Sequence, residues 1–202
     1  MSDSLSAPAA SADHHPIGLI VTDDLQRNRL TVFFRLILAI PHLIVVGLWA
    51  IATDIVVFIA WIVGIFTGRV PDGLHGFIAT WLRYATRLTA YVFLLADPWP
   101  PFGDAGTYPV DARIDPAEQQ SRLTIFFRGI LAIPALLLTY VFRLVNQIVA
   151  FLGWFYCLFT GHMNEGMRNT SAWLLRYEVQ TYAYLLLLTG RYPSLAGAPT
   201  VS

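Results

Sequence analysis

The sequence predicts an all-α integral membrane protein. Four transmembrane helices form two hairpins in parallel repeat, each preceded by a short strand and an interfacial amphipathic segment kinked at a proline. Three observations carry this expectation. Hydrophobic residues make up 56% of the 202 positions and charged residues only 13%, against about a quarter charged in soluble domains. "RLTVFFRLILAIP" at Arg29 returns as "RLTIFFRGILAIP" at Arg122, with eleven of thirteen residues identical at an offset of 93. A long apolar run follows each copy.

The offset holds well beyond that motif. Pro16 matches Pro109, Trp61 matches Trp154, and "FTG" at Phe66 matches "FTG" at Phe159. "LRY" at Leu82 recurs at Leu175, "AY" at Ala90 at Ala183, and "DPWPPF" at Asp97 corresponds to "GRYPSL" at Gly190. A register kept this long marks a duplicated unit. The organisation read from it is a disordered tail over 1–15, a first repeat over 16–103, a second over 104–195 and a tail over 196–202.

Each repeat opens on a strand, clearest where Val110, Ala112 and Ile114 alternate with Asp111, Arg113 and Asp115. On a helix, Leu30, Phe33, Phe34, Ile37, Leu38 and Pro41 then form one apolar stripe. Arg29 and Arg35, with Arg122 and Arg128 in the second copy, project elsewhere and read as snorkelling interfacial anchors. Apolar runs from His42 to Thr67 and from Ala135 to Thr160 are long enough to span ~30 Å of hydrocarbon. Pro41 and Pro134 supply the kinks, and Gly68 and Gly161 the C-caps. Return helices over about 75–96 and 168–189 end at Trp99 and Tyr192, expected at headgroup level.

Seven arginines flank the side with both termini: Arg27, Arg29, Arg35, Arg113, Arg122, Arg128 and Arg191. Arg69 and Arg168 flank the other. The positive-inside rule places both termini in the cytoplasm of a bacterial inner membrane. The first 28 residues lack a cationic start followed by an apolar core, so no cleaved signal peptide is expected.

A polar seam crosses the predicted spans. Arg83, Tyr84 and Arg87 share a face of the first return helix, and Arg176, Tyr177 and Gln180 occupy the same positions in the second. Asp54 answers from the first outgoing helix, and Arg143, Asn146 and Gln147 from the second. Counting back from the hairpin sets Asp54 level with Arg83 and Arg87, and Gln147 near Glu178 and Gln180. An arginine or aspartate at mid-helix costs roughly 2.5–3.5 kcal/mol on insertion scales, while a large aliphatic returns only about 0.3–0.6. The arginines must therefore face inward, paired with Asp54, Glu178 or backbone carbonyls. Two readings fit: glue that fixes helix register, or a site where excess arginine holds an anionic headgroup or small anion.

Other groups point away from chemistry. The formal net charge is zero, so no global field recruits nucleic acid. Cys157 is the single cysteine and reads as a buried, inert thiol. His14 and His15 have no further ligands nearby, so no metal is expected. His42, His75 and His162 read as interfacial side chains. No catalytic constellation stands out, and no cofactor is expected.

"YPVDARIDPAEQQSRLTIFFRGILAIP", with "FTG", "LRY", "AY" and "DPWPPF", resembles the bacterial membrane proteins grouped as domain of unknown function 4389, over 16–195 and in both units. The resemblance implies a multi-pass membrane protein and assigns no activity. The expected role is a non-enzymatic scaffold, accessory subunit or lipid-binding protein, with membrane lipids and a membrane-protein partner or second copy as its contacts. The alternative is a small oligomeric transporter or channel for an anion or lipid-like solute.

Overall fold

A computed structural model of the chain describes residues 15–103 and 107–201, and it is mostly helical with one small sheet. The order is β1 (Ile17–Val21), α1 (Arg29–Thr67), α2 (Asp72–Val92), β2 (Val110–Ile114), α3 (Arg122–Phe126), α4 (Arg128–Thr160), α5 (Glu165–Leu185) and β3 (Thr200–Val201). Asn28 caps α1 by accepting from the Leu30 amide, and Asn164 caps α5 by accepting from that of Met167. Gly68 and Gly161 close α1 and α4 at φ of 76° and 80°, a left-handed conformation that glycine adopts without penalty. These hairpin ends agree with the sequence reading.

The strands pair across the repeat. β1 and β2 run antiparallel from Ile17 opposite Ile114 to Val21 opposite Val110. Thr200–Val201, expected as part of a tail, adds β3 parallel to β1. Ile17, Leu19, Val21, Val110, Ala112 and Ile114 are buried on one face. A two-stranded ribbon alone is marginal in water; here β1 packs on α5 and β2 on α2.

Three layers result: the sheet, then α2 with α5, then α1 packed on α2 and α4 packed on α5. Fifteen large apolar side chains are exposed on α1 and fifteen on α3 and α4, against one on α2 and none on α5 among the described residues. Two helices, α1 and α4, are long and apolar enough to cross a membrane.

One geometric expectation is corrected, the parallel relation of the repeats. Trp154 Nε1 donates to the carbonyl of Val32 at 2.9 Å, and Trp61 Nε1 to that of Ile125 at 3.0 Å. The Arg27 amide meets the Gly161 carbonyl at 2.9 Å, and the Gln120 amide that of Gly68 at 2.8 Å. Each outgoing helix therefore starts beside the end of the other, and α1 and α4 run antiparallel. Pro41 and Pro134 lie within α1 and α4, and the helical run between Arg122 and Thr160 is interrupted at Phe127.

Candidate functional site

The repeated motif has a structural purpose that its interfacial reading missed. Arg35 and Arg128 are each 2% exposed. Arg35 donates to the carbonyls of Tyr91 and Ala96 and pairs with Asp97 at 2.8 Å. Arg128 donates to the carbonyls of Tyr184 and Thr189 and to Gln120 Oε1. Each guanidinium lies over a tyrosine ring, 4.4 Å from Tyr91 in one copy and 4.4 Å from Tyr184 in the other. Each therefore clamps the carbonyls where a return helix ends. Two further residues finish the job: Arg27 Nη2 donates to the Leu94 carbonyl at 2.8 Å, and Gln120 Nε2 to that of Leu187 at 3.0 Å. Leu94 and Leu187 have positive φ, 62° and 67°, and both are buried, so their carbonyls, turned out of the helix and away from water, need such partners. Arg29 and Arg122 are exposed. Trp99 and Tyr192 are partly exposed and pack on Tyr91 and Tyr184.

The arginines of the return helices do turn inward, but toward the sheet. Arg87, 2% exposed, pairs with Asp111 at 2.8 Å and donates to the Gly103 carbonyl. Arg83 Nε donates to the Ala112 carbonyl at 3.3 Å. In the second copy Arg176 Nη2 donates to the Ser194 carbonyl at 3.1 Å. Gln180 bridges the Ile17 carbonyl and the Ser194 amide, both at 3.0 Å.

The outgoing helices contribute less than expected. Asp54 is exposed on α1, in a shallow recess with Val57, Phe58 and Trp61, and does not meet Arg83 or Arg87. Gln147 is likewise exposed. The level-by-level count failed because α1 is shifted along α2: Val46 meets Trp81 and His42 meets Tyr84, so Arg83 lies level with the His42–Val46 stretch rather than with Asp54. Arg143 does pair with Glu178, at 3.3 Å. Asn146 is 1% exposed with neither amide atom partnered. Tyr84 binds His42 Nδ1 at 2.7 Å, while the Tyr177 ring meets Phe142. His42 and His75, expected at the interface, are buried, the latter facing the Leu188 carbonyl at 3.2 Å; His162 is exposed. Cys157 is buried, as expected. Of the adjacent histidines, His14 lies outside the described residues, and His15 faces the carbonyls of Ile17 and Tyr192.

A central cavity of about 310 Å³ opens among the four long helices, lined by Leu43, Val46, Trp81, Leu88, Val179 and Tyr182 with the Arg143–Glu178 pair beside them. Its walls are those of an apolar slot with one polar edge.

A family model described as domain of unknown function (DUF4389) matches residues 29–103 and again 122–196. No curated protein and no solved structure matches the chain.

Proposed function

Since the chain belongs to the domain of unknown function (DUF4389) family in two tandem copies, we propose that it is a non-enzymatic membrane scaffold or accessory protein lying along one leaflet. In this arrangement α1 and α4 rest among the acyl chains and the sheet faces water. The observation that carries it is the position of the sheet across α2 and α5, away from α1 and α4.

The outgoing helices favour this placement. Thirty exposed apolar side chains present on the order of 2,000 Å², far beyond the few hundred that a soluble monomer leaves bare. At 1.5 Å per residue α1 is about 58 Å long, so crossing ~30 Å of hydrocarbon would tilt it by roughly 60°. Spanning helices tilt by about 0–40°.

The expected four crossings meet a second obstacle. Upright helices would carry the sheet beside them at bilayer depth, with open edges and Asp111, Arg113 and Asp115 in hydrocarbon. Unsatisfied backbone there costs several kcal/mol per group, and lipid-exposed open edges do not occur. Lying flat removes both difficulties, and it turns the antiparallel pairing of α1 and α4 into a two-fold about the membrane normal.

Lipid binding belongs to the same reading: the central cavity accepts an acyl chain from the leaflet. The cytoplasmic leaflet of a bacterial inner membrane is the side proposed. Arg27, Arg35 and Arg128 are buried, but Arg29 and Arg122 are exposed and can meet anionic headgroups.

Single-cysteine labelling tests the arrangement. With Cys157 replaced by alanine, cysteines at Asp24, Arg69 and His162 are probed with a membrane-impermeant maleimide. One-leaflet placement gives labelling of all three from the same side. Labelling of position 69 only from the side opposite to 24 and 162, which adjoin each other through the Arg27–Gly161 contact, would support crossing helices and sink the proposal.

A further inference from the structure

We propose that the half-open cavity between β1, α5 and residues 191–200 is a binding site for a phosphate group. The site stands whether or not the helices lie in one leaflet.

The cavity measures about 1120 Å³ and is lined by His15, Arg113, Arg176, Gln180, Arg191 and Ser194 among others, with no carboxylate among the described residues. Arg176 is 4% exposed. Its Nη2 is held by the Ser194 carbonyl, while its buried Nε has no hydrogen-bond partner. Arg113 reaches the cavity from β2 by passing over β1, where its Nη2 donates to the His15 carbonyl at 3.1 Å. Its Nε is also buried without a hydrogen-bond partner and forms a loose ion pair with the partly exposed Asp115 at 3.7 Å.

Glycine opens this route. A Cβ at Gly18 would stand 3.0 Å from Arg113 Nη2. Nearby cations also register on His15, whose pKa is depressed first by burial and then by Arg191 and Arg176.

The duplication shows what changed. In the first copy Asp111 neutralises Arg87 at 2.8 Å. At the offset of 93, Gly18 stands where Asp111 stands and Gln180 where Arg87 stands, so that pair is gone. Arg176 is kept as the counterpart of Arg83, while Arg113 and Arg191 replace the neutral Ile20 and Pro98. The first copy buries its arginine against a carboxylate, and the second gathers the guanidinium groups of Arg113, Arg176 and Arg191 around an open space. Their planar forks match phosphate oxygens in bidentate fashion, and a dianion balances several of them better than a carboxylate does. Because the cavity is on the sheet side, away from α1 and α4, a soluble phosphate ester is the expected source.

The full chain in detergent micelles is titrated calorimetrically with inorganic pyrophosphate, and separately floated with phosphatidylcholine vesicles with and without phosphatidic acid. We expect saturable pyrophosphate binding, weakened at least tenfold by Arg113→Gln and by Gly18→Asp, which restores the first copy's acid. Arg69→Gln, outside the cavity and paired with Asp72, leaves it unchanged. Thermal unfolding of each variant separates lost binding from lost fold. Vesicle binding that needs phosphatidic acid and shows the same variant pattern supports the site and assigns its phosphate to a lipid. Saturable binding to neither probe, or equal weakening by Arg69→Gln, overturns it.

Discussion

Arg35 lies over the ring of Tyr91, with 4.4 Å from guanidinium carbon to ring centroid, while donating to the backbone carbonyl of that same residue. One side chain thus holds both the face of the tyrosine and the end of the helix that carries it. Arg128 and Tyr184 repeat the arrangement. Breaking a buried charged network costs about 3–5 kcal/mol, so Arg35→Gln and Arg128→Gln are each expected to lose stability on that scale. The exposed Arg29→Gln should change it by less than about 0.5 kcal/mol. Denaturant titration in detergent checks both; equal effects of Arg29→Gln and Arg35→Gln would refute the clamp.

Asp111 offers a second prediction. It balances an arginine that is itself 2% exposed. Asp111→Asn removes the carboxylate that pairs with Arg87 and is expected to cost about 2–4 kcal/mol. Arg87→Met combined with Asp111→Leu replaces both charges by apolar groups and should recover most of that loss. A double variant no better than Asp111→Asn alone would mean that the pair is not what matters there.

Trp61 and Trp154 clasp the opposite repeats. Trp61→Phe and Trp154→Phe each delete one hydrogen bond and keep most of the apolar contact, at an expected cost of about 0.5–1.5 kcal/mol. The two sites stand at opposite ends of the α1–α4 pair, so their effects should add. Unfolding midpoints of the single and double variants give the comparison.

A pH dependence follows from His15. Burial and two nearby arginines lower its pKa from the ordinary 6.5. The unfolded chain therefore takes up a proton first as pH falls, and stability declines below about pH 6.5. The decline stops once the folded-state pKa is passed. His15→Gln should flatten this part of the stability profile, which melting curves between pH 7.5 and 5 will show. An unchanged slope in the variant assigns it to other groups.

Much of the fold was legible in the sequence, and for definite reasons. The 93-residue offset located both strands, both hairpin turns and the Gly68 and Gly161 caps, because each depends on local chemistry. Repetition fixes no symmetry operator, however, and the antiparallel contact of Trp61 with Ile125 leaves no local trace. Periodicity placed Arg83 and Arg87 on an inward face but could not name what covers it, so Asp54 was chosen where Asp111 and the sheet stand. One available signal was passed over. The runs of α1 and α4 carry few polar residues, whereas α2 and α5 are polar on several sides, which suits helices enclosed by protein. The cationic cavity was hidden because Arg113, Arg176 and Arg191 meet only through the β1–β2 pairing.

The tilt of α1 and α4 against the bilayer normal tests the account most directly, and oriented-sample solid-state NMR on aligned bilayers can measure it. Helices lying in one leaflet give tilts close to perpendicular to the normal for both. Tilts within the ~0–40° range of spanning helices would contradict the account.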